Sequence, residues 1–185
     1  MKFVQPIRDQ RKIEAIKQYL KERNERDYVL FMVGINTGFR IADILSLTVG
    51  GVKGTHIEVV EGKTGKVNTI KIRKKLRLAL DHYIDGKPDH EYLFTGRSKK
   101  LSGAVGEPIC TSTAYKLLSE VARKFGLKSI GAHSMRKSFG FHYYEKTKDI
   151  ALLMDIFNHS KESITLLYIG KDQDKKDESL DEFEL

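Results

Sequence analysis

His133-Ser134-Met135-Arg136, Asn158-His159-Ser160 and Tyr168 set polar, chemically able side chains at fixed intervals inside an otherwise apolar, helix-patterned region. His133 and Arg136 stand three apart, so on a helix over 133–145 both project from one face near its N-terminus. That end carries unpaired N–H groups and the positive end of the helix dipole, which favours a bound phosphate. His159 follows Arg136 by 23 residues, and Tyr168 follows His159 by nine. Arginine, histidine and a lone tyrosine aimed at one anion make a site able to attack a phosphodiester.

Two upstream segments offer partners for such a site. Arg40 carries Asp43 one helical turn later, within reach of its guanidinium. That spacing fits an ordinary intrahelical ion pair; it equally fits a carboxylate orienting an arginine whose planar fork suits two phosphate oxygens. Lys63 stands in Gly62-Lys63-Thr64-Gly65-Lys66, a basic turn between two β-patterned runs. A P-loop needs glycine five positions before Gly62, where Ile57 stands, so nucleotide binding of that kind is excluded. A mobile turn can instead swing Lys63 over a scissile phosphate, where its ammonium can protonate a departing alkoxide. Lys66 competes for that role, and a solvated turn lysine is the plainer alternative. Likewise, His159 suits a structural histidine between two helices, and Tyr168 a core tyrosine at the end of a short helix. No metal is expected at His133 and Arg136: arginine is no ligand at its normal charge, and no acidic residue completes a histidine–carboxylate set around them.

Charge narrows the partner. The 185 residues carry a formal +8, but residues 171–185 hold three lysines against seven acidic residues, so residues 1–170 carry +12. A body that basic suits a polyanion, nucleic acid first, with a lysine-rich solvated face as the alternative. Cys110 is the only cysteine, which excludes disulfide frameworks and cysteine-based zinc sites. Met1 to Gln10 lacks the apolar core of a secretory signal, and the longest apolar run, Tyr28 to Ile35, is far too short for a bilayer. A reducing, cytoplasmic setting without membrane contact is expected.

Periodicity supplies the elements that must position these groups. Residues 9–22 place Ile13, Ile16, Tyr19 and Leu20 on one helical face. Residues 27–36 form a nearly all-apolar helix that stops at Gly38, and Arg40 opens a short third helix. Runs 55–60 and 67–72 are β-branched and roughly alternating, predicting a hairpin with a basic tip. A helix over 74–85 precedes a proline- and glycine-bearing loop over 86–110, with a short strand at Tyr92-Leu93-Phe94. Helices follow near 111–125, 133–145, 149–157 and 161–168; Thr111 or Ser112 is the expected N-cap of the first, and Gly126 its stop. The fold class predicted is mainly α with a small antiparallel β-sheet, α+β, in one domain.

In order and spacing, Arg40, the Lys63 hairpin, His133-x-x-Arg136, His159 and Tyr168 resemble the tyrosine recombinase (phage integrase) family. Thr37-Gly38-Phe39-Arg40-Ile41-Ala42-Asp43-Ile44-Leu45-Ser46-Leu47 looks like the family's first-arginine box. The resemblance continues through Gly62-Lys63-Thr64-Gly65-Lys66, His133-Ser134-Met135-Arg136-Lys137-Ser138-Phe139, and Asn158-His159-Ser160 to Ile164-Thr165-Leu166-Leu167-Tyr168-Ile169, covering about residues 5–170. It implies the family's catalytic domain, a DNA breaking-rejoining fold, over residues 1–170, followed by an acidic tail over 171–185. The sequence departs from the family pattern at Asn158, where the family usually has glycine; a small polar residue can also take the left-handed conformation. Family members also commonly carry an N-terminal DNA-clamping helical domain, and none precedes the module in this sequence.

The implied activity is site-specific cleavage and rejoining of double-stranded DNA through a covalent 3′-phosphotyrosyl intermediate, without metal or cofactor. Tyr168 is the implied nucleophile; Arg40 and Arg136 grip the non-bridging oxygens, and Lys63 is the general acid for the leaving 5′ oxygen. His133 accepts the Tyr168 proton or donates to phosphate, His159 is a further phosphate donor, and Asp43 holds Arg40. Thr64, Lys66 and Lys137 are the expected DNA-binding residues. Other protomers in a synaptic complex are implied partners, as is a separate DNA-binding domain or accessory protein. Two alternatives share these features: a module that binds DNA without cutting, and a type IB topoisomerase-like relaxing activity. The tail is either a solvated terminus or a segment whose Leu180, Phe183 and Leu185 anchor in a neighbouring protomer's groove.

Overall fold

Residues 29–34 are apolar on every side and leave no face for water. In the computed structural model they form the centre of the molecule. The structure describes residues 4–96, 106–128, 130–131 and 133–183; residues 1–3 of the leader reading, 97–105 of the expected loop, Ala132 and Leu185 lie outside the described residues. Helix α2 (Glu25–Thr37) buries Val29 through Gly34. Around it pack α1 (Gln10–Arg23), α4 (Lys74–Ile84) and α6 (Ser134–Thr147). Asn24 caps α2 by accepting the Asp27 N–H at 3.2 Å, and Asp9 caps α1 by accepting from Arg11 and Lys12. The end of α2 is Gly38 at φ +69°, as expected. A side chain there would be strained, and its Cβ would meet the Phe139 ring at 2.5 Å.

After the short α3 (Ile41–Leu45) and a 3-10 turn at Gly50–Val52, the chain forms the expected hairpin of β1 (His56–Val60) and β2 (Val67–Lys71). The strands pair antiparallel from His56 opposite Lys71 to Val60 opposite Val67. Residues 92–94 do not form the expected strand. Tyr92 makes a single bridge to Thr48 and Thr95 another to Pro108. Pairing changes partner after one residue, because the Leu93 N–H bonds the Leu47 carbonyl and the Phe94 carbonyl accepts from Ile109. Helix α5 (Thr111–Lys124) is capped at Cys110 rather than at Thr111 or Ser112, since Cys110 is the last residue with extended backbone. Gly126 follows at φ +61°.

A second, smaller core joins α6 to α7 (Ile150–Phe157) and α8 (Glu162–Ile169) through Phe139, Phe141, Leu153, Phe157 and Ile169. The acidic segment is a helix, α9 (Lys171–Asp181), docked on its own body. Asp174 accepts two hydrogen bonds from Arg8 at 2.8 and 3.0 Å, and Lys171 bridges Asp174 and Glu145. Leu180 and Phe183 stay exposed at its end. Among the described residues the architecture is mainly helical with one two-stranded antiparallel sheet, the fold class the sequence predicts. Among the described residues no helix is long and apolar enough to cross a membrane.

Gly140 packs α6 directly against Phe157 of α7 and Ile169 of α8. A Cβ there would lie 2.7 Å from two Phe157 ring carbons and 2.8 Å from Ile169. Gly140→Ala is therefore expected to destabilise the protein by about 1–3 kcal/mol through overpacking, against roughly 1 kcal/mol of gained helix propensity. Thermal unfolding followed by circular dichroism checks this; an unchanged or raised midpoint would contradict the packing described.

Candidate active site

The turn after α2 delivers the first cation. Thr37 bonds its hydroxyl to the Val33 carbonyl and accepts the Phe39 N–H, fixing the residues that lead into Arg40. Arg40 then caps α3 with an extended backbone. Its Nη1 lies 2.6 Å from Glu61 and 4.0 Å from Asp43. The carboxylate that holds Arg40 is thus chiefly Glu61, a residue not singled out from the sequence. Asp43 instead accepts the Gly62 N–H at 3.1 Å, and its other oxygen makes no hydrogen bond.

The hairpin tip is pinned rather than free to swing. The Glu61 carbonyl accepts from Gly65 and Thr64, its N–H bonds the Lys66 carbonyl, and its carboxylate accepts the Thr64 hydroxyl at 2.8 Å. Lys63, Thr64 and Lys66 are exposed on this tip. Lys63 is close enough to His133 and His159 to disfavour a positive charge on either ring.

His133 sits just ahead of α6, which begins at Ser134, so His133 and Arg136 are presented from the mouth of the helix rather than from one face of it. Arg136 is 2% exposed. It donates to the Gly38 carbonyl at 2.6 Å and the Phe157 carbonyl at 2.9 Å, and lies over the Phe157 ring. Lys137 is buried as well, with its ammonium over the Tyr168 ring at 4.9 Å. That placement is beside the phenol, not on the open surface expected of a DNA-backbone contact. Asn158 ends α7 at φ +52°, the left-handed conformation its small polar side chain tolerates, and this corner presents His159. His159 Nδ1 is 3.0 Å from the buried Thr165 hydroxyl, which leaves Nε2 as the nitrogen available to a ligand. Tyr168, near the end of α8, packs edge-on against Phe157 and His159, and its hydroxyl is 3.3 Å from His133 Nδ1. Arg40, Arg136, His133, His159 and Tyr168 therefore converge, with Lys63 alongside.

Burial and the gathered cations set the protonation states. His159 is lowered to about 4, first by burial and then by Arg136 and Arg40; His133 is lowered by burial, Arg136, Lys137, Arg40 and Lys63. Both imidazoles are neutral at pH 7. Burial raises Tyr168, with Arg136 and Arg40 opposing, so the phenol keeps its proton. Burial alone would raise Glu61, but the Arg40 guanidinium beside it and hydrogen bonds from Thr64 and Asn68 outweigh it and hold the carboxyl below its ordinary range. A neutral imidazole 3.3 Å from a protonated phenol, among cations, can accept a proton as the phenol attacks an anion. Among the described residues no group of three or more His, Cys, Asp or Glu side chains converges to hold a metal ion. Two large surface grooves, of about 730 and 830 Å³, are lined by none of these residues.

His159 titrates near 6.5 when unfolded and near 4 when folded, so the unfolded chain binds its proton more readily. Its contribution to stability is full above pH 6.5 and is lost as pH falls toward 4. Denaturant melts across this range should show stability falling with pH, and His159→Gln should flatten that slope. Parallel profiles for the two proteins would contradict the burial and charge described for this ring.

The Phage integrase family model matches residues 8–175. The probable integrase/recombinase YoeC of Bacillus subtilis is 46% identical over 176 residues, 94% of this chain and 93% of that one. The tyrosine recombinase XerA of Pyrococcus furiosus is 27% identical over 160 residues, 84% of this chain but 54% of its own length, so the chain spans about half of such relatives. The structure of the XerH site-specific recombinase bound to palindromic difH substrate, a post-cleavage complex, superposes with a TM-score of 0.71 at 19% identity, over 97% of this chain and 53% of that one. The last likeness shows the fold; the match over most of the chain, with the YoeC identity, shows the family. This chain belongs to the phage integrase family.

Proposed function

We propose that the chain is a site-specific recombinase that cleaves and rejoins double-stranded DNA through a 3′-phosphotyrosyl intermediate. The observation that carries this reading is the Tyr168 hydroxyl, 3.3 Å from His133 Nδ1 and adjoining the Arg136 guanidinium. Tyr168 Oη attacks the phosphorus and passes its proton to Nδ1 of the neutral His133. Arg40 and Arg136, with the His159 Nε2 N–H, stabilise the negative charge on the non-bridging oxygens. The P–O5′ bond breaks as the Lys63 ammonium gives its proton to the departing oxygen; the reverse sequence rejoins the strand and conserves the phosphodiester's energy. Thr64 and Lys66, exposed on the hairpin tip, fit contacts to the DNA backbone. The +12 of residues 1–170 suits a polyanion.

Residues 1–170 form the catalytic unit in this reading, working in the cytoplasm with other protomers and with a separate DNA-binding domain or accessory protein. The Tn1549 transposon integrase is described in complex with circular intermediate DNA, which supports the same partner for this chain. The acidic segment from 171 links protomers, its exposed Leu180 and Phe183 leaving α9 to enter a neighbour.

The test uses nicked suicide duplexes recovered from a randomised pool by covalent capture. Tyr168→Phe should abolish the adduct with DNA affinity nearly unchanged, and the parent adduct should form in EDTA. Arg40→Ala and Arg136→Ala should each slow cleavage at least about a hundredfold, with lysine a poor substitute. A normal adduct from Tyr168→Phe would move the nucleophile elsewhere, to Tyr143 or Tyr144 first.

The linking role of the tail has its own test. Deleting residues 172–185 should spare cleavage of one duplex and impair strand exchange between two. Equal exchange by the truncated protein would make the segment a passive end.

A further inference from the structure

We propose that Glu61 is a positioning residue that locks the Lys63 turn to Arg40, so that the proton donor and the phosphate grip are held as one unit. This rests on the roles given above to Lys63 and Arg40. Glu61 is wholly buried at the end of β1, with no part of its side chain open to water. Its Oε2 lies 2.6 Å from Arg40 Nη1 and accepts the Thr64 hydroxyl at 2.8 Å. Its Oε1 accepts from Asn68 at 3.3 Å and is 4.0 Å from Arg136 Nη1. One carboxylate thereby touches the first arginine, approaches the second, and is bonded by Thr64 within the turn that carries Lys63 and by Asn68 on β2 just after it.

A buried carboxylate is stable only while its partners stay in place, so the demand for compensation acts as a restraint on all of them. The backbone of Glu61 adds to this, since its carbonyl and N–H close the turn onto Gly65 and Lys66. Asn68 extends the link by donating to the Ile156 carbonyl at 2.9 Å, next to Phe157, whose carbonyl holds Arg136. Asp43 accepts the Gly62 N–H but stands 4.0 Å from Arg40 Nη1, against 2.6 Å for Glu61, and bonds no side chain of the turn. Lys63 is thus carried on a turn whose position is set by the same group that sets Arg40.

The chemistry supplies a readout that a merely structural role would not move. If the leaving 5′ oxygen is replaced by sulfur, a thiolate departs without needing a proton, and the reaction no longer depends on Lys63. Single-turnover cleavage is measured at saturating protein on the captured duplex, in its oxygen and sulfur forms. Glu61→Gln keeps the shape and removes the charge; it should slow the oxygen substrate at least about thirtyfold and the sulfur substrate at least about fivefold less, given the 10²–10⁴-fold range of general acid catalysis. Thr64→Val removes only the hydroxyl that ties the exposed turn to Glu61. It should raise the ratio of the sulfur to the oxygen cleavage rate about threefold or more, within the range expected for one lost hydrogen bond, because any loss of its own contact to DNA slows both substrates alike and cancels in the ratio. Should Glu61→Gln fail to fold, Thr64→Val decides alone.

Equal deficits on both substrates, or full rates on the oxygen substrate, overturn the coupling. A parent protein that forms no adduct with either duplex overturns the cleavage reading itself, and this proposal with it. A parent that cleaves while the variants behave normally overturns the coupling alone.

Discussion

The structure depends on a guanidinium taken out of water. Arg136 is all but inaccessible, and it stays charged because the Gly38 and Phe157 carbonyls accept its N–H groups and the Phe157 ring lies against it. Leaving such a group without partners would cost several kcal/mol, so the α2–α3 corner and the α7–α8 corner are both drawn to α6. Arg40 leaves the first of these corners and His159 the second, and α8, which starts from that second corner, carries Tyr168 near its far end. The convergence of groups nearly 130 residues apart in the chain follows from satisfying one buried cation.

Charge within the cluster is balanced in favour of an anion. Glu61 is paired with Arg40 and lies 4.0 Å from Arg136, and the cations gathered around the two histidines work with burial to keep both imidazoles uncharged. A phosphodiester entering the site offsets the repulsion the histidines feel and gives the arginines an additional anion. Glu61 and Asp43 meanwhile keep the cations from separating in its absence. Binding and proton transfer thus draw on the same field, which is why a protonated phenol can coexist here with an acceptor close by.

Much of this was legible in residue spacing. The left-handed stop at Gly38, the hairpin, the helix that carries Arg136 (with His133 just ahead of its first residue), and the tolerance of Asn158 for positive φ all follow from local chemistry. Glu61 escaped notice because it sits at the end of an apolar run and belongs to no local motif. Alternation carried the signal: Ile57 and Val59 face inward, so the next inward position is 61, and a carboxylate placed there requires a cation. The burial of Lys137, the Cys110 cap and the docking of α9 on Arg8 were not legible, since each depends on partners brought in from another part of the chain. The failed strand at 92–94 shows the same limit, its β-like residues being claimed by two different neighbours in turn.

The central claim is that the phenol of Tyr168 is the group the cluster was assembled to activate. Peptide mapping by mass spectrometry of the covalent product, after proteolysis and nuclease trimming, tests it most directly. The account predicts a single modified peptide, with a 3′-phosphate of the cut strand joined to the Tyr168 oxygen. A nucleotide linked to any other residue, or joined through a 5′-phosphate, would contradict it.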